Sequence, residues 1–313
     1  MATMNASGAP AEMLPFGGRQ DVPQRKRLDV ERFQWGSMVL LLPALVLLVL
    51  LFLIPVGYAF FLGFTNLRLV GPTALSYHFT GLANVRQLLH DNVFPLSVEL
   101  TAIFVVGSVV GTVIVGLALA LLMRTANGLI RILVGGVAVV AWMMPAVTAG
   151  MTWYASTTAG GTFGTLLGLS SSDFLHSQPL LIVTLANTWS QCGFAMLVFA
   201  AALRNIPSEV IEAATLENAS RVQRFRMIML PLLRPTIVTT VLLVTLLTLA
   251  NFSLIYIMTQ GGPGNSTNIL PVYSYQQAFS FNNLAYGALI GDVMVIIATM
   301  FGFAYVRASK VRV

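Results

Sequence analysis

The sequence predicts an all-α polytopic membrane protein with six transmembrane helices and both termini in the cytoplasm. The chain of 313 residues is 57% hydrophobic and only 9% charged, whereas charged residues make up about 25% of a typical soluble domain. Its mean hydropathy is +0.82. Six apolar runs are long enough to cross a bilayer, which takes about 20 residues. Basic residues are concentrated in alternate connections between these runs, which sets the orientation.

The six predicted spans follow one another along the chain, at 37–64, 100–123, 132–155, 180–203, 236–258 and 285–306. The first run is longer than the apolar region of a cleavable signal peptide, which has about 7–15 residues, and a polar tail precedes it. The prediction therefore divides the chain into three parts. These are a cytoplasmic tail with a disordered first half, a six-helix domain and a short cytoplasmic tail, at 1–36, 37–307 and 308–313.

The distribution of lysine and arginine places both tails and the 4–5 connection in the cytoplasm. Of the 17 basic residues, only Arg68 and Arg86 lie in connections on the opposite side, and cytoplasmic segments of membrane proteins are enriched in basic residues. This topology accounts for the isoelectric point of about 9.8 without a nucleic-acid partner. The predicted location is the cell membrane, with multiple crossings in contact with lipid.

The 4–5 connection, 204–235, is the largest cytoplasmic one and is predicted to form two short helices. Ser208 is suited to the N-cap position of the first helix, and Glu209 to the positive end of the helix dipole. The small side chains of Ala213 and Ala214 allow another surface to approach closely. We therefore expect this connection to have a partner.

The turn between the two helices is predicted at Asn218. Asparagine adopts the left-handed conformation that ends many helices more readily than most residues other than glycine. Ser220 and Gln223 have the spacing of a capping box, which starts a second helix. Pro231 and Pro235 are predicted to mark its exit into the fifth span.

This segment resembles the EAA loop of ABC importer membrane subunits. Glu212-Ala213-Ala214, then Asn218, then Ile228-Met229-Leu230-Pro231 match the order and spacing of that loop, with Asn218 where the family usually has glycine. Similarity to the carbohydrate-uptake branch, the MalF-like permeases, covers most of 38–307. Its most specific part is TQGGPGNSTNILPVYSYQQAF, at 259–279.

The resemblance implies the permease subunit of an ATP-driven importer for a sugar or oligosaccharide, without catalytic residues of its own. It implies a MalF-like bundle in the inner membrane of a bacterial or archaeal cell. The implied partners are a second homologous permease, two copies of a cytoplasmic ATPase and an extracytoplasmic sugar-binding protein. No GxxxxGK[ST] phosphate-binding motif occurs here, so ATP and Mg would bind the ATPase. The residues implied to contact that ATPase are Glu209, Glu212, Ala213, Ala214, Glu217, Asn218 and Arg221.

Two amides in the fourth span are candidates for the substrate path. Asn187 and Gln191 lie four residues apart and share one helix face. Their amides both donate and accept hydrogen bonds, which suits the hydroxyls of a neutral sugar. The alternative is hydrogen bonding to a neighbouring helix, a common role of such residues in membrane bundles.

In the fifth span, Asn251, Phe252 and Tyr256 are candidates for the same path, with packing between helices as the alternative. The aromatic rings are suited to the apolar faces of a sugar. Outside the membrane, Gly261, Gly262 and Pro263 are interpreted either as a gate loop facing a partner or as a tight connection.

Other function classes fit the sequence less well. A polyol or glycerol phosphate is an alternative cargo, but a phosphate favours arginine or lysine in the path. The six predicted spans contain neither, although the second permease could supply the charge. An ion-coupled secondary transporter would depend on Asp292, a lone carboxylate in the sixth span. The three histidines and Cys192 form no metal-ligand pattern, so no metal site is expected.

Overall fold

The computed structural model describes residues 35–169 and 171–309, with side chains described from residue 41 and with gaps near the C-terminal end. The predicted disorder of the N-terminal tail and the end of the C-terminal tail lie outside these residues. Within the described part of the chain, the secondary structure is helical apart from an isolated bridge between Thr65 and Phe79.

Of the described residues, those at 35–53 belong to one unit and those from Ile54 belong to a second. The first contains helix α1, Trp35–Leu48, and a π-helical turn, Val49–Leu53. Its described side chains are apolar and exposed, as expected for a helix in contact with lipid.

The second unit contains the other helices. They are α2 Ile54–Gly63, α3 Ala83–Leu89, α4 Val93–Thr125, α5 Gly128–Met143, α6 Ala146–Thr157, α7 Thr162–Leu166, α8 Phe174–Ser177, α9 Pro179–Arg204, α10 Ser208–Leu216, α11 Arg221–Arg224, α12 Leu230–Leu249, α13 Ser253–Thr259, α14 Leu270–Tyr275 and α15 Leu284–Ser309. A 3₁₀ turn spans Pro72–Ala74, and π-helical turns span Phe225–Met229 and Gln276–Ser280.

Five described helical segments are long and apolar enough to cross a membrane, at Leu41–Gly63, Val93–Thr125, Pro179–Arg204, Arg221–Leu249 and Leu284–Tyr305. A sixth crossing results if α5 and α6 count as one span, although the two helices meet at an angle of 109°. The polytopic helical class is therefore confirmed, with five or six candidate spans.

The third predicted span is not one straight helix. Met144, between α5 and α6, has an extended backbone with ψ of 131°. The next residue, Pro145, has no N–H to donate and disfavours helical geometry in the residue before it. The expectation of a continuous helix over 132–155 was wrong because it ignored this proline.

The fifth predicted span is displaced and interrupted. Its helix begins at Arg221, continues through the π-helical turn Phe225–Met229 and ends at Leu249. Pro231 lies inside this continuous helix, just after the π-helical turn, so it does not mark the end of a separate helix as predicted. Pro235 lies inside α12. The chain then breaks at 250–252 before α13 starts.

Helix α9 is central to the second unit and packs against α4, α5, α6 and α12. Val183, Met196 and Phe199 of α9 are fully buried. A Cβ atom added at Gly193 would lie 2.0 Å from the backbone oxygen of Ala138 in α5. Only glycine at this position allows the two helices to pack so closely.

Three helices are joined by one carboxylate near the start of α4. Asp91 accepts a hydrogen bond from Tyr273 of α14 and another, of 2.6 Å, from Tyr286 of α15. It also accepts from the backbone N–H of Val93, at 2.8 Å. Burial opposes ionisation of Asp91, but the hydrogen bonds outweigh it and hold the pKa below the usual value of 3.8.

We predict that Asp91→Asn destabilises the protein at neutral pH by about 1.5 to 3 kcal/mol, the usual contribution of hydrogen bonds to a charged group. Because the folded-state pKa is below the unfolded value, the stabilisation is present above about pH 4 and is lost as the pH falls through the folded-state pKa. The difference in melting temperature from wild type should therefore shrink on acidification. Glu99→Gln, a change at an exposed carboxyl of α4, is the control. An equal loss in both variants would contradict the prediction.

Candidate functional site

The 4–5 connection forms a helix–turn–helix, as predicted. Asn218 has φ of 57°, the left-handed conformation expected at this turn. Ser220 and Gln223 form both bonds of a capping box, of 2.7 and 3.2 Å. The expected N-cap was wrong by one residue. Ser208 is already helical, and the residue before it, Pro207, offers no side-chain cap.

One face of this segment is fixed to the membrane domain. Ile211 of α10 and Phe225 pack against a buried apolar cluster that includes Leu203 and Met229. The two short helices are also joined directly, since Arg224 Nη1 donates a hydrogen bond of 2.7 Å to Thr215 Oγ1. The sequence analysis did not identify this bond, because the two residues belong to different helices and meet only after the turn forms.

The other face of the segment is exposed, and we call it the α10 face. Leu216, Val222 and Met227 are 85%, 64% and 74% exposed. Of the implied ATPase-contacting residues, Ala214 is half-buried and the rest are exposed, namely Glu209, Glu212, Ala213, Glu217, Asn218 and Arg221. Among the described residues the single ion pair joins His176 and Asp173, so these charges remain available to a partner.

A second group of functional candidates meets where the helix breaks after α12. Asn251 Nδ2 donates a hydrogen bond of 2.7 Å to Asn187 Oδ1. Gln191 Nε2 donates to Asn187 Oδ1 and to Thr248 Oγ1, both at 3.0 Å. We call these four residues the amide cluster. It joins α9 to α12 and to the break at 250–252.

The amide cluster is well shielded from solvent. Asn187 and Thr248 are fully buried, and Gln191 is almost fully buried. The Gln191 Oε1 atom has no hydrogen-bond partner among the described residues. These bonds show that the amides join helices in this conformation, while Gln191 retains an acceptor for another group. Contact with a substrate stays a prediction.

Phe252, which follows Asn251 of the amide cluster in the sequence, forms a separate aromatic group with Tyr256 and Tyr275. The ring centroids of Phe252 and Tyr256 are 4.9 Å apart, and Tyr275 lies 4.7 Å and 4.8 Å from them. All three side chains are half-buried. Tyr275 was missed by sequence reasoning, because it belongs to α14 and no pattern within the spans links it to Phe252.

The predicted gate loop is a tightly bonded turn after α13. Gly261 has φ of 90°, and a Cβ atom there would lie 2.9 Å from Gln276 Nε2, so glycine is required. The Gly262–Pro263 peptide is cis. Thr267 Oγ1 donates to the backbone oxygen of Gly262 at 3.0 Å. These observations establish a compact turn, and its role as a gate stays a prediction.

Asp292 lies within α15 and is 5% exposed. Its Oδ2 atom has no hydrogen-bond partner among the described residues, and it would lie 2.6 Å from a Cβ atom added at Gly63. Across the described part of the chain, no group of three or more histidine, cysteine or acidic residues could hold a metal ion.

Comparison with known proteins assigns the chain to a family. Residues 112–313 match the family described as binding-protein-dependent transport system inner membrane component. The chain belongs to this family. The exposed α10 face and the turn at Asn218 therefore lie in a transport permease, and the ion-coupled secondary transporter is left without support.

Two curated relatives match over nearly the whole chain. The sulfoquinovosyl glycerol transport system permease protein SmoG of Agrobacterium fabrum is 30% identical, over 88% of this chain and 91% of that protein. The sn-glycerol-3-phosphate transport system permease protein UgpA of Escherichia coli O157:H7 is 32% identical, over 90% of this chain and 97% of that protein. Both relatives are named as permeases, which agrees with a membrane subunit that performs no catalysis.

The fold is also found in a solved transporter. A chain in the crystal structure of a bacterial alginate ABC transporter, in complex with an alginate pentasaccharide-bound periplasmic protein, superimposes with a TM-score of 0.72. The match covers 88% of this chain and 94% of that chain, at 18% sequence identity. This likeness confirms the ABC permease fold predicted from the sequence.

We predict that Asn218→Gly preserves the turn of this permease and that Asn218→Val strains it. A residue with a Cβ pays about 1 to 2 kcal/mol in left-handed geometry, and the β-branched valine is poorly suited to it. In limited trypsin digestion of the purified protein, Asn218→Val should be cleaved faster after Arg221 and Arg224. Equal cleavage of both variants would contradict the strained-turn interpretation.

Proposed function

We propose that this chain is the permease subunit of an ATP-driven importer for a sugar or oligosaccharide. The observation that carries the proposal is that the amide cluster and the aromatic group both include residues of the break in the helix, Asn251 and Phe252. Interrupted helices form substrate sites in many membrane transporters. Irregular backbone at membrane depth is tolerated where it is buried in protein or lines a cavity.

The chemistry of these two groups favours a polar, ring-shaped cargo. Amide side chains donate and accept hydrogen bonds and so match sugar hydroxyls. Ligand sites combine apolar and aromatic walls with a few polar groups that fix orientation. Asn187, Gln191 and Asn251 would supply the polar groups, and Phe252 and Tyr256, together with Tyr275, would supply the walls.

A glycerol phosphate or polyol is the second candidate cargo, supported by the similarity to UgpA. Against a phosphate, neither the amide cluster nor the aromatic group contains a lysine or arginine, the residues that bind phosphate most strongly. SmoG is named for a sugar derivative, and the solved structural neighbour for alginate. These names favour a sugar over a polyol, although alginate is an acidic polysaccharide. The lack of lysine and arginine in the two groups favours a neutral sugar for this chain, with the second permease as a source of charge if the cargo is anionic.

We infer that the termini and the α10 face lie in the cytoplasm, as the distribution of basic residues favours. In this orientation the α10 face binds one of two ATPase subunits, which carry ATP and Mg. The opposite side, with the loop at Gly261, Gly262 and Pro263, meets the extracytoplasmic binding protein or a second permease. Closure of the ATPases on ATP would move α10, open the path outward and admit the sugar, and hydrolysis would reset it.

We predict that Glu212→Ala weakens binding of the co-purified ATPase and lowers the ATP hydrolysis stimulated by the sugar-loaded binding protein. Glu212 is exposed and has no ion-pair partner among the described residues, so an arginine or lysine of a partner can reach it. Fewer than about 30% of interface residues cost more than about 1 kcal/mol on truncation, which is about fivefold in affinity, and we expect Glu212 to be one of them. Glu99→Ala, an exposed glutamate of α4, is the control. Full retention of the ATPase by Glu212→Ala would contradict the docking proposal.

We predict that Tyr275→Ala lowers the rate of sugar uptake at limiting sugar concentration by up to about tenfold, since aromatic contacts contribute about 0.5 to 1.5 kcal/mol each. Tyr275→Phe retains the ring and should transport at nearly the wild-type rate. Uptake of radiolabelled sugar by the reconstituted transporter measures both variants, with unlabelled glycerol phosphate as a competitor. Basal ATPase activity of both should match wild type, which separates loss of the site from loss of assembly. Competition by glycerol phosphate but not by sugars would establish the second candidate cargo.

A further inference from the structure

Three arginines line a cavity at one end of the bundle, between the ends of four helices. Arg124 lies in the last turn of α4, Arg131 lies in the first turn of α5, and Arg204 ends α9. The cavity has a volume of about 240 Å³, and Ser208 at the start of α10 also lines it. It therefore adjoins the segment that carries the α10 face.

No carboxylate neutralises these arginines within the described part of the chain, where the single ion pair lies elsewhere, at Asp173 and His176. Arg131 is held in place by hydrogen bonds from Nε to the backbone oxygen of Met123, at 3.1 Å, and from Nη2 to that of Ala126, at 3.3 Å. Three cationic groups around one cavity repel one another, and an anion between them relieves that repulsion.

Apart from Ser208, the rest of the cavity wall is apolar. It is formed by the side chains of Ala120, Met123, Ala200, Leu203 and Ile206. Outside it, Leu129 and Ile132 of α5 are 67% and 72% exposed, as suits residues that face lipid. A ligand with an anionic head and an apolar continuation matches this combination better than a fully hydrated ion does.

We propose that this cavity binds a phosphate group, and that the group belongs to the headgroup of an anionic phospholipid of the cytoplasmic leaflet. Arg124 and Arg204 hold the phosphate, Arg131 adds charge, and the acyl chains leave along the apolar wall toward α5. Clusters of basic residues between helices on the cytoplasmic side are suited to such headgroups. The bound lipid contacts both the α4–α5 turn and the start of α10, and so stabilises the segment that carries the α10 face. The proposal rests on the proposed orientation, but not on the identity of the cargo.

The test is the binding of phosphatidylglycerol to the purified full-length chain, measured by native mass spectrometry against phosphatidylcholine. Arg124→Gln/Arg204→Gln should weaken phosphatidylglycerol binding by roughly twenty-fivefold, since each basic residue near an anionic lipid contributes about 1 kcal/mol, or roughly fivefold. Arg131 is left intact because it also stabilises the α4–α5 turn. The charge-preserving Arg124→Lys/Arg204→Lys variant should keep most of the affinity, and an equal loss in that variant would overturn the electrostatic origin.

The matched control is Arg226→Gln/Arg234→Gln. It removes the same charge from the same side of the membrane at two exposed arginines that do not line the cavity. Unchanged binding in the control supports a defined site, while an equal loss would overturn it in favour of general surface charge.

Competition with inorganic phosphate distinguishes the two sources of the anion. If phosphatidylglycerol binds no more tightly than phosphatidylcholine, and phosphate alone protects the wild type but not Arg124→Gln/Arg204→Gln against thermal unfolding, the lipid assignment is overturned. These measurements need no transported sugar. A chain that binds the lipid, in an assembled transporter that fails to import sugars, would therefore contradict only the proposed cargo. Cysteine labelling of the loops checks the orientation separately.

Discussion

The structure depends above all on the rule that every backbone N–H and C=O inside a bilayer must find a partner within the protein, because lipid offers none. A continuous helix meets this rule by itself. At the break the N–H groups of 250–252 are bonded to the backbone oxygens of Leu246, Thr248 and Ala250. The chain places the break against α9, where the amide cluster supplies polar side chains around it. The buried amides bond one another and Thr248, and in this way they hold the interrupted helix against α9. The same amides also leave the acceptor of Gln191 unused, which is the property that a substrate site requires.

Features could be predicted from the sequence where they depend on residues close together along the chain. The turn at Asn218 and the capping box of Ser220 and Gln223 depend on residues within a few positions of one another, and both were predicted correctly. The break at Pro145 was also readable locally but was overlooked in favour of the hydropathy of the whole run. The break after Leu249 carries no proline or glycine, so apolar composition could not reveal it.

The contacts between elements were beyond sequence reasoning for a different reason. Pairing of Thr248 with Gln191, or of Tyr275 with Phe252, depends on how α9, α12 and α14 pack, and a spacing rule applies only within one helix. The same holds for Asp91, which joins α14 and α15 to the start of α4 although its neighbours in sequence give no sign of this. Around that carboxylate the helices are held by charged hydrogen bonds, whereas the segment that carries the α10 face is held to the bundle by apolar contacts of its opposite face. The membrane domain therefore combines a firmly bonded end with an end that carries an exposed face.

The uninterrupted run from Arg221 to Leu249 has a thermodynamic consequence. Its 29 residues form a rod about 44 Å long at 1.5 Å per residue, with the capping box at one end and Thr248 of the amide cluster near the other. Two ligands that both shift the position of such a rod are coupled, and the coupling free energy is the same in either direction. Whatever affinity the membrane site gains when a protein binds the α10 face, that protein gains equally when the membrane site is filled. Under the proposed function, the cargo would thereby be an effector of assembly at a surface it never touches.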